Sequence, residues 1–194
     1  MKKFSYTVFE KQMFGDTCTP VSVYMRIRNL YTQSALMECS DYHSSENGCS
    51  YIGVRPIAHV AIEHGLGKCV YPDGSLYQHP INANYLPSDI INEFLNEFNV
   101  NNDKNLGLFG YTSFNSVRYL ENIAVKDETQ VKNDAPDMIY ILYKYVITFN
   151  HFDNTMSISE LVADGEKSDI ETIEKAIQKP FVTKYEFHHI GETT

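Results

Sequence analysis

The spacing of apolar positions changes several times along the chain, and each change marks an element. Val23, Ile27 and Leu30, with Tyr24 and Tyr31 beside them, recur at helical spacing. Before them, Thr19 offers a capping hydroxyl and Pro20 a first-turn residue with no amide hydrogen to leave unpaired. A helix is expected from about Pro20 to Tyr31. Ala35 to Cys39 and Ser50 to Val54 read as strands on either side of a loop, 40–48, rich in Ser, Asn and Gly. Ala58, Val60 and Ile62 then alternate with His59, Ala61 and Glu63 before Gly65-Leu66-Gly67 interrupts the run. Lys68 to Tyr71, the turn Pro72-Asp73-Gly74-Ser75 and Leu76 to His79 complete an antiparallel meander with one buried face.

Farther on, Ser88 is placed to cap a second helix whose apolar face carries Ile91, Phe94, Leu95 and Phe98. The polar stretch 99–105 reads as a loop. Leu106 to Tyr111 reads as a strand whose glycines admit a close neighbour, and Phe114, Val117, Arg118 and Glu121 fit a short helix. The charged stretch 126–137 reads as a surface loop. Met138 to Phe149 is a long aromatic and β-branched run, with Thr155 to Val162 as its partner across the turn 150–154. Ser168 with Glu171 forms the pattern of a capping box, Ile170, Ile173 and Ile177 give the last helix its stripe, and Pro180 stops it. Hairpins dominate and helices intervene irregularly. The expected class is α+β, with antiparallel sheets and helices packed on their outer faces.

With 194 residues, 43% of them hydrophobic and including 14 Tyr and 11 Phe, the chain can bury a substantial core without disulfide or metal staples. Its formal net charge of -9 opposes binding to nucleic acid or to an anionic membrane surface. Cys18, Cys39, Cys49 and Cys69 form no Cys-x-x-Cys pair, so free thiols are expected, and the histidines show no metal-binding helix pattern. Gly107 to Gly110 lacks the third glycine of a phosphate loop. The N-terminus has a basic start but no apolar core behind it, and no window approaches the ~20 apolar residues of a membrane span. The chain is expected to be soluble and cytoplasmic, with no cofactor of its own.

Three stretches carry more specific information: Leu36-Met37-Glu38-Cys39-Ser40-Asp41, Ser50-Tyr51-Ile52-Gly53, and Gly107-Leu108-Phe109-Gly110-Tyr111 followed by Val117-Arg118-Tyr119-Leu120-Glu121. In this order, with Pro136-Asp137-Met138 and Asn150-His151 behind them, they resemble the N-terminal domain of anthranilate synthase component I, a chorismate-utilising enzyme. Cys39 stands where that family has Ser, and Gly48 and Cys49 stand where a basic residue is often found.

The resemblance implies that residues 1–194 form one regulatory and structural domain, part of an α/β/β/α layered arrangement in the intact enzyme. Met37, Glu38, Cys39, Ser50 and Tyr51 would form one wall of a tryptophan feedback pocket, with Glu38 pairing with the ligand's ammonium. No catalytic residue is assigned to this chain. Chorismate and magnesium would be bound by a C-terminal catalytic domain that the 194 residues do not include. The implied partners are that domain, a glutamine amidotransferase subunit and L-tryptophan as inhibitor, and the chain alone is expected to self-associate through uncovered apolar strand faces. Aminodeoxychorismate synthase component I, which leads to p-aminobenzoate, is the alternative within the same family. A free-standing amino-acid-binding module is the alternative outside it.

Overall fold

The structure is a computed structural model that describes residues 3–39, 48–101, 107–123 and 135–179. Two long strands, β3 (Cys49–Glu63) and β8 (Met138–Asn150), pair antiparallel from Cys49 opposite Asn150 to Ile62 opposite Met138 and form the spine of one sheet. Their aromatic and β-branched content suits a strand buried on both faces. The ladder slips between Pro56 and Ala58, beside Arg55 at φ 61°. Proline has no amide to donate there, so the bulge divides the spine into two halves.

Each half takes its own neighbours. At the Cys49 end, β2 (Ser34–Met37) joins β3, while β9 (Thr155–Ala163) and then β1 (Phe4–Phe14) extend the sheet beyond β8. At the Glu63 end, β4 (Leu66–Val70) and β5 (Leu76–Pro80) extend it beyond β3, and β7 (Phe109–Thr112) pairs with β8. The meander is as expected, but its first turn needs only His64 and Gly65, both at positive φ, so Leu66 and Gly67 belong to the strand.

Strand β1 was not foreseen, although Phe4, Tyr6 and Val8 alternate with polar residues. Its start pairs in parallel with β6 (Phe98–Asn101), which takes up part of the expected 99–105 loop. A parallel partner nearly a hundred residues away leaves no local turn signal for a sequence reading to find.

Helix α1 (Pro20–Ile27) starts as expected: the Thr19 hydroxyl accepts from the Ser22 amide at 3.1 Å, and the Ser22 hydroxyl accepts from the Thr19 amide at 3.0 Å. It ends before Leu30 and Tyr31, and Tyr31 stacks instead on Tyr145 with ring centroids 6.1 Å apart. Helix α2 (Pro87–Asn96) buries Ile90 and Phe94 and leaves Leu95 exposed, so its inner face is turned from the expected one. The Asp89 carboxylate accepts from the Leu86 amide at 2.7 Å and supplies the cap expected of Ser88. Helix α3 (Ile170–Gln178) has the expected stripe without the expected capping box. Asp169, not Ser168, occupies the N-cap position, and the Ser168 hydroxyl donates to buried Glu160 at 2.6 Å while accepting from the Ile170 amide at 3.4 Å. The expected short helix after β7 is a 3₁₀ turn, Phe114–Tyr119.

Two cores result. Val23 and Ile27 of α1, with Ile173 and Ile177 of α3, cover Ile52, Val54, Tyr145 and Ile147. Ile90 and Phe94 of α2 pack with Val60, Ile62, Tyr6 and Leu161 around the other half of the spine. Each fully buried aliphatic or aromatic side chain contributes about 1.5–3 kcal/mol, so both clusters are needed to offset chain entropy. Ser40, Asp41, the 126–134 part of the expected surface loop, Pro180 and the His188-His189 pair lie outside the described residues.

Candidate functional site

The end of β2 and the start of β3 are joined by the pairs Leu36 with Ile52 and Met37 with Tyr51. Strand alternation sends neighbouring side chains to opposite faces. Leu36 and Ile52 therefore join the core under α1 and α3, while Met37, on the opposite face of β2, lines a hollow that also reaches Tyr24 and Arg28 at the end of α1. Pairing stops at Met37, so Glu38 and Cys39 follow the strand rather than ending it as expected. The Cys39 amide donates to Ser50 Oγ at 2.9 Å, and Ser50 Oγ lies 2.7 Å from His151 Nε2. Ser50 is fully buried, and these two contacts engage its hydroxyl from both sides. The His151 amide in turn donates to the Gly48 carbonyl at 2.9 Å.

Two hollows flank this corner. One, of about 420 Å³, lies between the start of α1 and the β8–β9 turn and receives exposed Glu38, His151, Asn150 and Cys18. The other, of about 680 Å³, is lined by Met37, Arg28, Tyr24, Phe109, Tyr111 and Tyr143, among others. Tyr51 backs it, with its ring 5.9 Å from Phe109, whose ring lies 6.2 Å from Tyr143. The five residues named from sequence are therefore near one another but divided. Met37 lines the larger hollow and Tyr51 touches its Phe109 ring, Glu38 opens to the smaller one, Ser50 is enclosed, and Cys39 contributes its amide to Ser50.

Sequence reading singled out neither Arg28 nor His151 as a site residue. Arg28 follows the last turn of α1 and has no periodic signal, whereas His151 was visible only within the Asn150-His151 match. Phe109 was indicated by its place between the glycines of its motif.

That glycine motif has a structural basis. A Cβ on Gly110 would lie 1.7 Å from the Ile139 carbonyl oxygen, so β7 can approach β8 only with glycine there. Beyond β7, the Tyr119 hydroxyl donates to Asp137 Oδ2 at 2.6 Å and accepts from the Gly65 amide at 3.0 Å. Arg118 stands 3.8 Å from the other Asp137 oxygen. Burial, reinforced by Asp137, pushes the Tyr119 hydroxyl up to about 12, so it remains a donor at neutral pH. The Arg118-Tyr119 part of the motif thus ties the 3₁₀ turn to the β3–β4 hairpin.

A buried charge cluster lies where β8 and β9 diverge. Lys144 is 3.2 Å from Glu160 and 3.1 Å from Asp169, and Glu160 also accepts from the Ser168 hydroxyl and the Asp169 amide. Tyr145 donates to Asp169, and Arg55 lies 3.7 Å from its carboxylate. Burial by itself would raise the Asp169 carboxyl, but the Tyr145 hydroxyl and the Lys144 ammonium outweigh it and hold that group well below the usual carboxylate range. Among the described residues, no group of three or more His, Cys, Asp or Glu could hold a metal ion, and no helix is long and apolar enough to cross a membrane.

Sequence comparison finds a distant, partial relative. The relative is anthranilate synthase component 1 of Lactococcus lactis subsp. lactis (strain IL1403), 25% identical over 150 residues that cover 73% of this chain and 29% of that protein. The chain thus spans less than a third of the length of the curated relative it matches. No family model matches the chain.

Proposed function

We propose that this chain is the N-terminal, non-catalytic part of an anthranilate synthase component I, the enzyme that makes anthranilate from chorismate and glutamine-derived ammonia. One observation carries the reading. The three stretches that resemble the family, separated along the sequence, converge at one corner: Met37 pairs with Tyr51, and the Tyr51 ring meets Phe109. In this reading the corner is one wall of a tryptophan feedback site. Glu38 meets the ligand's ammonium, and Ser50 with His151 fixes the chain after β2 so that Glu38 keeps its position.

The chemistry on chorismate, with its magnesium ion, belongs to the part of the family's polypeptide beyond the matched region. Tryptophan acts by binding one global state of the combined protein better than the other. The proposed partners are accordingly that catalytic segment, the glutamine amidotransferase subunit and L-tryptophan. The test is an assay of the purified 194-residue chain with chorismate, magnesium and ammonium. No anthranilate fluorescence is expected, and formation at ordinary enzymatic rates refutes the reading. Calorimetry complements it: L-tryptophan should bind the chain weakly and more weakly still after Glu38→Gln, whereas tight binding favours a free-standing amino-acid module.

A further inference from the structure

The larger hollow shares Met37 and Phe109 with the proposed tryptophan wall, but it also holds Arg28 and Tyr111, which that reading does not use. About 680 Å³ is within the size range of small-molecule sites, and its wall is an aromatic series of Tyr24, Phe109, Tyr111 and Tyr143. This wall is held rigidly. Phe109 is clamped between Tyr51 and Tyr143, β7 is locked against β8 at Gly110, and the Ser34 hydroxyl donates to Tyr24 Oη at 3.3 Å.

Arg28 is the one charged residue among the described residues of the lining. It is the C-cap of α1, its backbone amide donates to the Tyr24 carbonyl at 2.8 Å, and its exposed guanidinium enters no ion pair among the described residues. No carboxylate lines the hollow among the described residues. Nearby Asp137 is already held by Tyr119 and Arg118. Glu38, which could receive an ammonium, opens into the other hollow across β2. The electrostatics of this space therefore favour an anion although the chain as a whole is acidic, and its surfaces favour a flat ring.

We propose that this hollow binds an aromatic carboxylate that lacks an α-ammonium group, with its ring against Phe109 and Tyr111, which the buried Tyr143 backs, and its carboxylate on Arg28. A guanidinium offers paired, in-plane donors that match a carboxylate, while the ring faces take up apolar area. The assignment differs from the tryptophan reading in its polar anchor, because its ligand uses Arg28 and not Glu38, although Met37 and Phe109 line this hollow too.

The probes are 2-naphthoate and its neutral counterpart 2-naphthamide, titrated calorimetrically into the full chain. Naphthoate should bind roughly tenfold or more tightly than naphthamide, the size of one charge-assisted contact. Arg28→Gln should abolish that preference with an unchanged melting temperature, Arg28→Lys should restore part of it, and Tyr111→Ser should weaken both ligands. Saturating L-tryptophan should leave naphthoate binding in place. Equal affinities for the two probes, an unaffected Arg28→Gln variant, or no binding of naphthoate by the folded chain at millimolar concentration each overturn the proposal. Full displacement by tryptophan also overturns it, by making the hollow a zwitterion site while leaving the feedback reading intact.

Discussion

Glu160→Gln tests the buried charge cluster that seats α3 on the sheet. Glu160 is fully enclosed, and its carboxylate receives Lys144 Nζ at 3.2 Å, the Ser168 hydroxyl at 2.6 Å and the Asp169 amide at 3.1 Å. Glutamine keeps the volume but removes the charge and turns one acceptor atom into a donor. The nearly buried Lys144 ammonium then keeps only Asp169 as a carboxylate partner. Removing one member of a buried pair costs about 3–5 kcal/mol, and the partner Lys144 retains argues for the low end, about 3 kcal/mol. Against a total stability of order 10 kcal/mol, the variant should still fold. With a urea m-value of about 3 kcal/mol/M, the midpoint should fall by about 1 M, and the melting temperature by roughly 6–12 °C.

The same measurement on Lys144→Met and on the double variant completes a cycle. The double variant should be less destabilised than the sum of the singles by about 1 kcal/mol or more, because the second change removes a charge already left under-compensated. A Glu160→Gln melting temperature within about 2 °C of wild type, or simple additivity in the cycle, would refute the argument that these charges support one another.

Three further outcomes follow from other parts of the structure. Gly110→Ala sets a methyl against the Ile139 carbonyl, backbone against backbone, and should cost at least the roughly 1–3 kcal/mol of ordinary overpacking, with faster amide exchange across Phe109–Thr112. Unchanged exchange there would show that β7 is not held as described. Cys69 is buried, and desolvation raises its thiol to about 11, so in native protein iodoacetamide at pH 8 should modify half-buried Cys18, Cys39 and Cys49 well before it. Equal labelling rates by peptide mass spectrometry would count against that burial. Asp169 is depressed in the folded state, so the stability it provides is present above the unfolded carboxyl value of about 3.9 and is lost as pH falls below it. The gap between wild type and Asp169→Asn in urea midpoint should therefore narrow from pH 7 to pH 3, and a constant gap would contradict the assignment.

Much of the architecture was legible locally. The meander, the β8–β9 hairpin and the α1 cap each depend on residues a few positions apart, where period and turn chemistry act directly. Strand β1 was missed because its partners, β6 and β9, lie far along the chain, and helix α2 was turned because tertiary packing chose Ile90 over Leu95. The site shows the same division. Sequence identified the segments that meet at the end of β2, because their order carries the family likeness, and it specified Gly110 as a place of close approach.

By itself, then, the sequence determined the α+β class and the main hairpins, which rest on short-range pattern, and marked by their family likeness the segments that the fold brings to one corner. Only the tertiary structure decided which face each residue serves. Period-two alternation parted Met37 from Glu38, burial turned Ser50 inward to His151, and the end of α1 brought Arg28 to an aromatic wall built from β7 and β8. Contacts between residues so distant in sequence leave no periodic trace, because they are set by how the sheet and helices close on one another.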